Sequence, residues 1–336
     1  MKQMKQIIVL FLLGTCGQAF AGKYAAEFLR IGVGARALGL AGAYVAMADD
    51  GSASYWNPAG LTDLNKHQLL FSHAQMFQNL ADHHFANCSI RLGSATALAA
   101  SWIRLAVDDI PRYSELIGTR YDRFIDPNLR STGTPEGYFG DVEDAVILSF
   151  ARAFDFDLII GTGLNPAIIP LRLGLGVSYK FISQKLDRFE GKGQGIDLGL
   201  KLSLIGFEGE NDIQQRCLSF GFSIQDLAGT PVVWNTGQRS KDQLPINLMI
   251  GVAYAERIPF VSSRLTISLE RDDSYQSFNR LGAELTFNDM VALRAGLEND
   301  RWTAGAGFRL YFLRLDYAFL NSELGNSHRI SGAVEF

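Results

Sequence analysis

The residues best equipped for chemistry in this chain are few, and their spacing does not suit it. The five histidines are His67, His73, His83, His84 and His328. His83 and His84 are neighbours, and neighbours in a strand point to opposite faces, so this pair cannot share a metal. No histidine has the ligand spacing of a zinc site, and solvated or interfacial rings are expected. The doublets Asp49-Asp50, Asp108-Asp109 and Asp272-Asp273 suggest calcium, but no twelve-residue loop pattern accompanies them. Turn and loop acids are expected instead. GVGARALG at 32–39 has the glycines of a dinucleotide fingerprint, but no strand precedes it and no acidic residue follows in a βαβ context. A nucleophile elbow, a zinc-protease helix and a phosphate loop are all missing from the sequence. The expectation is no catalytic residue, no metal, no cofactor and no enzyme.

The elements that carry these residues alternate with period two. Ile196, Leu198, Leu200, Leu202 and Leu204 interleave with Asp197, Gly199, Lys201 and Ser203. Leu313, Leu315, Tyr317 and Phe319 interleave with Arg314, Asp316 and Ala318. The same pattern recurs around Val177, Phe220, Ile267 and Leu293. Strand side chains point alternately to two faces. Each segment thus has a greasy face and a face of Gly, Ser and charge. In a water-soluble sandwich the greasy faces meet one another. In an outer-membrane barrel they meet lipid, and the other face lines a lumen.

Three details favour the barrel. The segments run to about ten residues, enough to cross a bilayer at a tilt. Aromatics gather at segment ends, as at Trp302, Tyr311 and Phe312, where an interfacial girdle belongs. The chain ends on Phe336, after a last strand in which Ile330 and Val334 share its face. A terminal aromatic there resembles the signal read by the barrel-assembly machinery. On this reading Arg172, Lys180, Lys201, Arg264, Glu270, Glu284, Arg294, Glu298, Arg309, Arg314 and Asp316 face the lumen and neutralise one another.

The strands are expected at 67–77, 82–92, 96–107, 143–153, 172–187, 194–205, 217–227, 246–257, 264–273, 278–287, 290–299, 302–310, 313–321 and 328–336. That is an all-β fold: a transmembrane antiparallel barrel of about fourteen strands. The apolar segment 157–169 reads as an insertion beside a turn, since Asn165-Pro166 and Pro170 interrupt it. The long polar stretches 108–142 and 228–245 read as extracellular loops, and Asn288-Asp289-Met290 as a tight periplasmic turn.

The chain has 336 residues, 47% hydrophobic and 20% charged, with 34 Gly and a net charge of −4. Lys2 and Lys5, the apolar run Ile7–Leu13, and Ala19-Phe20-Ala21 make an export leader cleaved after Ala21. Its loss removes two positive charges and leaves −6. No basic patch appears, so nucleic acid is not an expected partner. Cys88 and Cys217 remain in the mature chain, and two separate thiols are expected. The expected organisation is a leader at 1–21, a plug at 22–65 and a barrel at 66–336.

Residues 22–65 do not alternate. Gly32, Gly34, Gly39 and Gly42 recur there and suit tight turns and close backbone approach. Asn57-Pro58 suits a turn. A compact segment with short helices inside the lumen is one reading; an amphipathic helix capping a soluble fold is the other.

The block GVGARALGLAGAYVAMADDGSASYWNPAGL at 32–61 resembles the N-terminal hallmark of the PorV/PorQ family, within the wider FadL-like group of outer-membrane proteins. Asn57, Pro58 and Ala59 match a motif common to both. GQGIDLGL at 193–200 and LRLDYAFLNSELGNSHRISGAVEF at 313–336 are further, weaker matches. The resemblance implies a fourteen-stranded barrel closed by its N-terminal segment. It implies a bacterial outer-membrane location, with outer-membrane lipid as a partner. It also implies one of two activities. PorV-like members act in type IX secretion, holding cargo and handing it on. FadL-like members carry fatty acids and other hydrophobic solutes. A structural barrel or porin is the third alternative. Ile110, Leu116, Ile117 and Phe124 are candidate residues for admitting a hydrophobic small molecule; secreted cargo and type IX components are the alternative partners.

Overall fold

The computed structural model describes residues 26–336, except 115, 130–132, 162–166, 206–215, 238–239, 259–260, 274–276 and 322–324. The leader, with Ala19 and Ala21, lies outside the described residues, as do Asn165-Pro166 and the Cys217 side chain.

The described residues form sixteen strands. They are β1 Gln68–Met76, β2 Ala81–Leu92, β3 Thr96–Arg112, β4 Gly137–Ile160, β5 Ala167–Leu186, β6 Phe189–Ile205, β7 Arg216–Gln225, β8 Thr230–Trp234, β9 Lys241–Leu244, β10 Asn247–Ile258, β11 Ser263–Asp273, β12 Ser277–Phe287, β13 Val291–Glu298, β14 Arg301–Leu310, β15 Leu313–Leu320 and β16 Ser327–Glu335. Fourteen of them close into an antiparallel barrel: each pairs with the next, β7 with β10, and β16 returns to β1 with Gln68 opposite Glu335. Closure leaves no open edge in the ring, as hydrocarbon requires. The short β8–β9 hairpin hangs on β6 at Gly191–Gly193, outside the ring order.

The burial pattern decides what surrounds the barrel. On β15, Leu315 and Tyr317 are exposed while Arg314, Asp316 and Ala318 are buried. On β6, Leu198 and Leu200 are exposed while Asp197, Lys201 and Ser203 are buried. This inverts a water-soluble protein, in which charges are almost never the buried face. The greasy outer surface needs hydrocarbon to cover it. A closed, even-numbered antiparallel barrel with that exterior is the architecture of the bacterial outer membrane. The turns at Asn288-Asp289 and Tyr311-Phe312 share one end with Phe336, the periplasmic end by the rule that periplasmic turns are short. The connections 113–136 and 226–246 lie at the extracellular end.

Two stretches differ from the sequence reading. The segment 157–169 is no insertion: its ends are arms of a β4–β5 hairpin paired from Asp141–Leu186 down to Ile160–Ala167. Pro170 is tolerated because it lies below Leu171–Leu204, the last β5–β6 pair, and so costs no ladder bond. On the other side, β3 ends at Thr96 opposite Arg152, so β4 projects past it from Ala153 to Ile160. The second stretch is 228–245, which holds the β8–β9 hairpin rather than an irregular loop. Likewise β3 runs on to Arg112 and β4 starts at Gly137, which shortens the loop expected at 108–142.

Candidate functional site

The lumen is filled by residues 26–64. They carry short helical turns at Glu27–Arg30, Ala35–Leu38, Ala53–Trp56 and Pro58–Asp63, and nearly every residue is buried. Asn57 organises the plug. Its Oδ1 accepts the Ala59 N–H at 3.1 Å and so caps the turn that begins at Pro58. Its Nδ2 donates to Val45 O at 2.8 Å within the plug and to Leu200 O at 3.1 Å on the wall. Asn57, Pro58 and Ala59, singled out in the sequence, thus fold into one unit fastened to β6.

Gly32, Gly34 and Gly42 have φ of 79°, 79° and 78°, a left-handed backbone that favours glycine. Gly39 is different: its φ is −65°, so no turn requires it. A Cβ there would come within 3.2 Å of Gly305 Cα on β14, so close approach is its reason. The wall answers with glycines of its own. A Cβ on Gly176 or Gly199 would sit 2.3 Å or 2.8 Å from Ala59 N, and one on Gly296 2.3 Å from Ala41 N. Plug backbone therefore rests directly on wall backbone. Residue-by-residue reading missed these wall glycines; the inward-facing Gly of each alternating strand was the available signal.

Ion pairs fix the plug at its periplasmic side. Arg36 pairs with Asp49 on the plug and with Glu284 on β12 at 2.9 Å. Glu284 also takes Arg294 at 2.6 Å, and Arg294 takes Asp316 at 2.7 Å. Arg314 joins Asp316 at 3.0 Å and Asp50 at 2.6 Å. Burial raises the Asp50 carboxyl, but Arg314 and Arg36 outweigh it and hold the group below its ordinary value. Deeper in, Glu270 accepts the Tyr44 and Val45 N–H groups at 2.8 and 2.7 Å and is balanced by Arg280. Asp63, at the plug's end, takes Lys201 at 2.8 Å. The expected neutralisation of lumen charge is realised as this network. One buried cation stands apart: Arg329 contacts His83 Nδ1 at 3.0 Å and Met76 Sδ, with no carboxylate partner among the described residues.

Below the plug opens a charged vestibule of about 380 Å³, lined by Arg36, Asp49, Lys66, Arg264 and Arg309 among others. At the extracellular side an apolar cluster of plug and wall sits beside buried charges. Phe28, Leu29, Ile103 and Ile182 pack with Val232 and Leu244 of the β8–β9 hairpin, which folds over the mouth. Lys180 on β5 pins the start of that hairpin, pairing with Asp197 at 2.9 Å and Asp226 at 2.7 Å.

The extracellular loop 113–136 carries large apolar side chains in the open. Leu116, Ile117, Tyr121 and Phe124 are 62%, 68%, 70% and 76% exposed. A capping box between Thr119 and Asp122 holds the Arg120–Ile125 helix, which has no buried residue. Leu116, Ile117 and Phe124 thus lie on the same exposed loop. Ile110 does not join them; it lies half-buried on β3 opposite Phe139, just past a bulge at Asp108-Asp109.

The other sequence candidates are ordinary parts of the wall. His83 faces the lumen and His84 the outside. The acidic doublets split into ion-pair partners and the β3 bulge, and the described residues hold no cluster of three or more metal-ligating side chains. Cys88 is a free, exposed thiol. Phe336 pairs through its backbone with His67, N–H to carbonyl at 3.0 and 3.1 Å.

No family profile matches the chain, and no curated protein matches it significantly. Among solved structures, the monoaromatic hydrocarbon channel CymD is similar at a TM-score of 0.49 and 13% identity, over 91% of this chain and 98% of that one. The Ralstonia pickettii toluene transporter TbuX is similar at 0.47 and 11%, over 91% and 98%. A Pseudomonas aeruginosa FadL homologue is similar at 0.45 and 10%, over 90% and 98%. The likeness is one of outline.

Proposed function

We propose that this barrel takes up apolar small molecules across the outer membrane, with the loop 113–136 as the capture surface. The observation that carries this reading is the set Leu116, Ile117, Tyr121 and Phe124, exposed on the loop, the last two on a capped helix that buries nothing. An exposed apolar patch of this kind marks a binding surface. The apolar cluster beneath the β8–β9 hairpin is closely packed, so hairpin and plug must both shift to admit the solute and release it below. A plug seated on wall backbone argues against a freely diffusing porin. The test is solute accumulation in proteoliposomes carrying the full barrel, with toluene and laurate as probes. Uptake no faster than in protein-free vesicles rejects the reading.

The same loop also suits a protein partner. The PorV/PorQ-like reading, cargo handover in type IX secretion, is supported by the resemblance at 32–61 and by the aromatic loop surface. Deleting the gene and measuring surface-attached proteins with type IX sorting domains separates the two readings. Unchanged attachment alongside lost solute uptake favours transport.

A further inference from the structure

A second site lies on the outside of the wall, unconnected with the plug. His73 on β1 and His84 on β2 are direct cross-strand partners on the outer face. Their Nδ1 atoms are 3.3 Å apart, whereas the ring centroids are 4.8 Å apart. The nitrogen-bearing edges therefore lean towards each other. A tetrahedral cation with two imidazole bonds of about 2.0–2.1 Å holds its nitrogens roughly 3.3–3.4 Å apart. Strand pairing thus sets the two nitrogens at chelating distance before any ion arrives.

The surroundings fit the same use. Both rings are half-buried, and Phe71 lies 6.2 Å from the His84 ring, so their freedom is already restricted. The outer face changes here from Leu69 and Phe71 to Gln75 and Asp82, where apolar wall gives way to water. Asp82, two residues from His84 on the same face, adds negative charge nearby, and Arg104, opposite His84 on β3, is paired with Asp144 at 2.8 Å. No third His, Cys, Asp or Glu completes a cluster among the described residues, so water fills the remaining positions. Imidazole donors select borderline transition metals over calcium or magnesium.

We propose that His73 and His84 bind one divalent transition-metal ion of the Cu²⁺, Ni²⁺ or Zn²⁺ class at the extracellular rim of the barrel. The competing arrangement is a plain hydrogen bond in which one Nδ1–H donates to the other Nδ1.

The test uses the full barrel in lipid nanodiscs, titrated with Cu²⁺ and followed by calorimetry and electron paramagnetic resonance. The expected result is one bound ion with two imidazole nitrogens in its spectrum. H73Q or H84Q weakens binding by roughly tenfold or more, since each removes one of two anchoring ligands. H328Q leaves it unchanged, because His328 Nδ1 is engaged by the Tyr317 hydroxyl at 2.6 Å. Equal affinity in wild type and the H73Q/H84Q double variant overturns the proposal, as does a spectrum without imidazole nitrogens. The wild-type spectrum decides the matter should a variant fail to insert.

Discussion

Arg314 on the barrel wall holds Asp50 on the plug at 2.6 Å, with both side chains almost wholly shielded from water. Losing Asp50 takes one of two close carboxylates from Arg314, since Asp316 stays at 3.0 Å, so the cost falls below the roughly 3–5 kcal/mol of a wholly broken buried pair. Asp50→Ala is therefore expected to loosen the plug. In planar bilayers this variant conducts ions where the parent is closed. A silent Asp50→Ala channel contradicts the role given to the pair.

The same contact sets a pH dependence. The folded Asp50 carboxyl lies below its ordinary value, so its stabilising contribution is complete above the unfolded value of about 3.9. It is lost as pH falls through the lower, folded value. Conductance of the parent barrel should stay low and flat at neutral pH and rise only in strong acid. Asp50→Asn should remove that contribution at every pH, giving a flatter profile.

Where plug and wall touch through backbone, added side chains have no room. A Cβ on Gly199 would lie 2.2 Å from Asn57 Oδ1, so Gly199→Val should unseat the plug or block folding. On Gly332 the nearest atom would be the flexible end of Leu315 at 3.6 Å, and Gly332→Ala should behave as wild type. Heat-modifiable gel mobility together with conductance separates the two outcomes.

Replacing Leu116, Ile117 and Phe124 together by serine removes the exposed loop patch without touching buried contacts. Stability should change little, within about 0.5 kcal/mol per position. Solute uptake should fall several-fold. Unaltered uptake would remove the loop from the capture step.

Arg329 makes the opposite prediction to Arg314. Among the described residues its hydrogen-bond partners are His83 and Met76, with no carboxylate, so its charge is desolvated with little return. Arg329→Met should raise the urea midpoint of the detergent-solubilised barrel, by the equivalent of about 1–4 kcal/mol. A lowered midpoint means that the guanidinium is compensated in a way these contacts do not convey.

Much of this architecture is legible in the residues because a one-sided strand must alternate. β6 and β15 read cleanly for that reason, and Asn57-Pro58 stood out as local turn chemistry. The β4–β5 extension was illegible because Pro170 normally ends a strand, and only the register shows that its missing N–H faces no partner. β8 and β9 are too short to show a period. His73 and His84 lie eleven positions apart, and their meeting depends on the β1–β2 register rather than on any motif.

The arm of β4 that outruns β3 has a last consequence. Beyond Ala153, whose N–H still reaches Ala95 O, it runs from Phe154 to Ile160, roughly 20 Å at about 3.3 Å per residue. Phe154, Phe156, Leu158 and Ile160 all lie uncovered along it. Such a ribbon, bare along one edge, is a template for pairing with any extended chain it meets. On the folded barrel this edge lies at the periplasmic end, where its free N–H and C=O groups meet water and any extended chain that comes alongside.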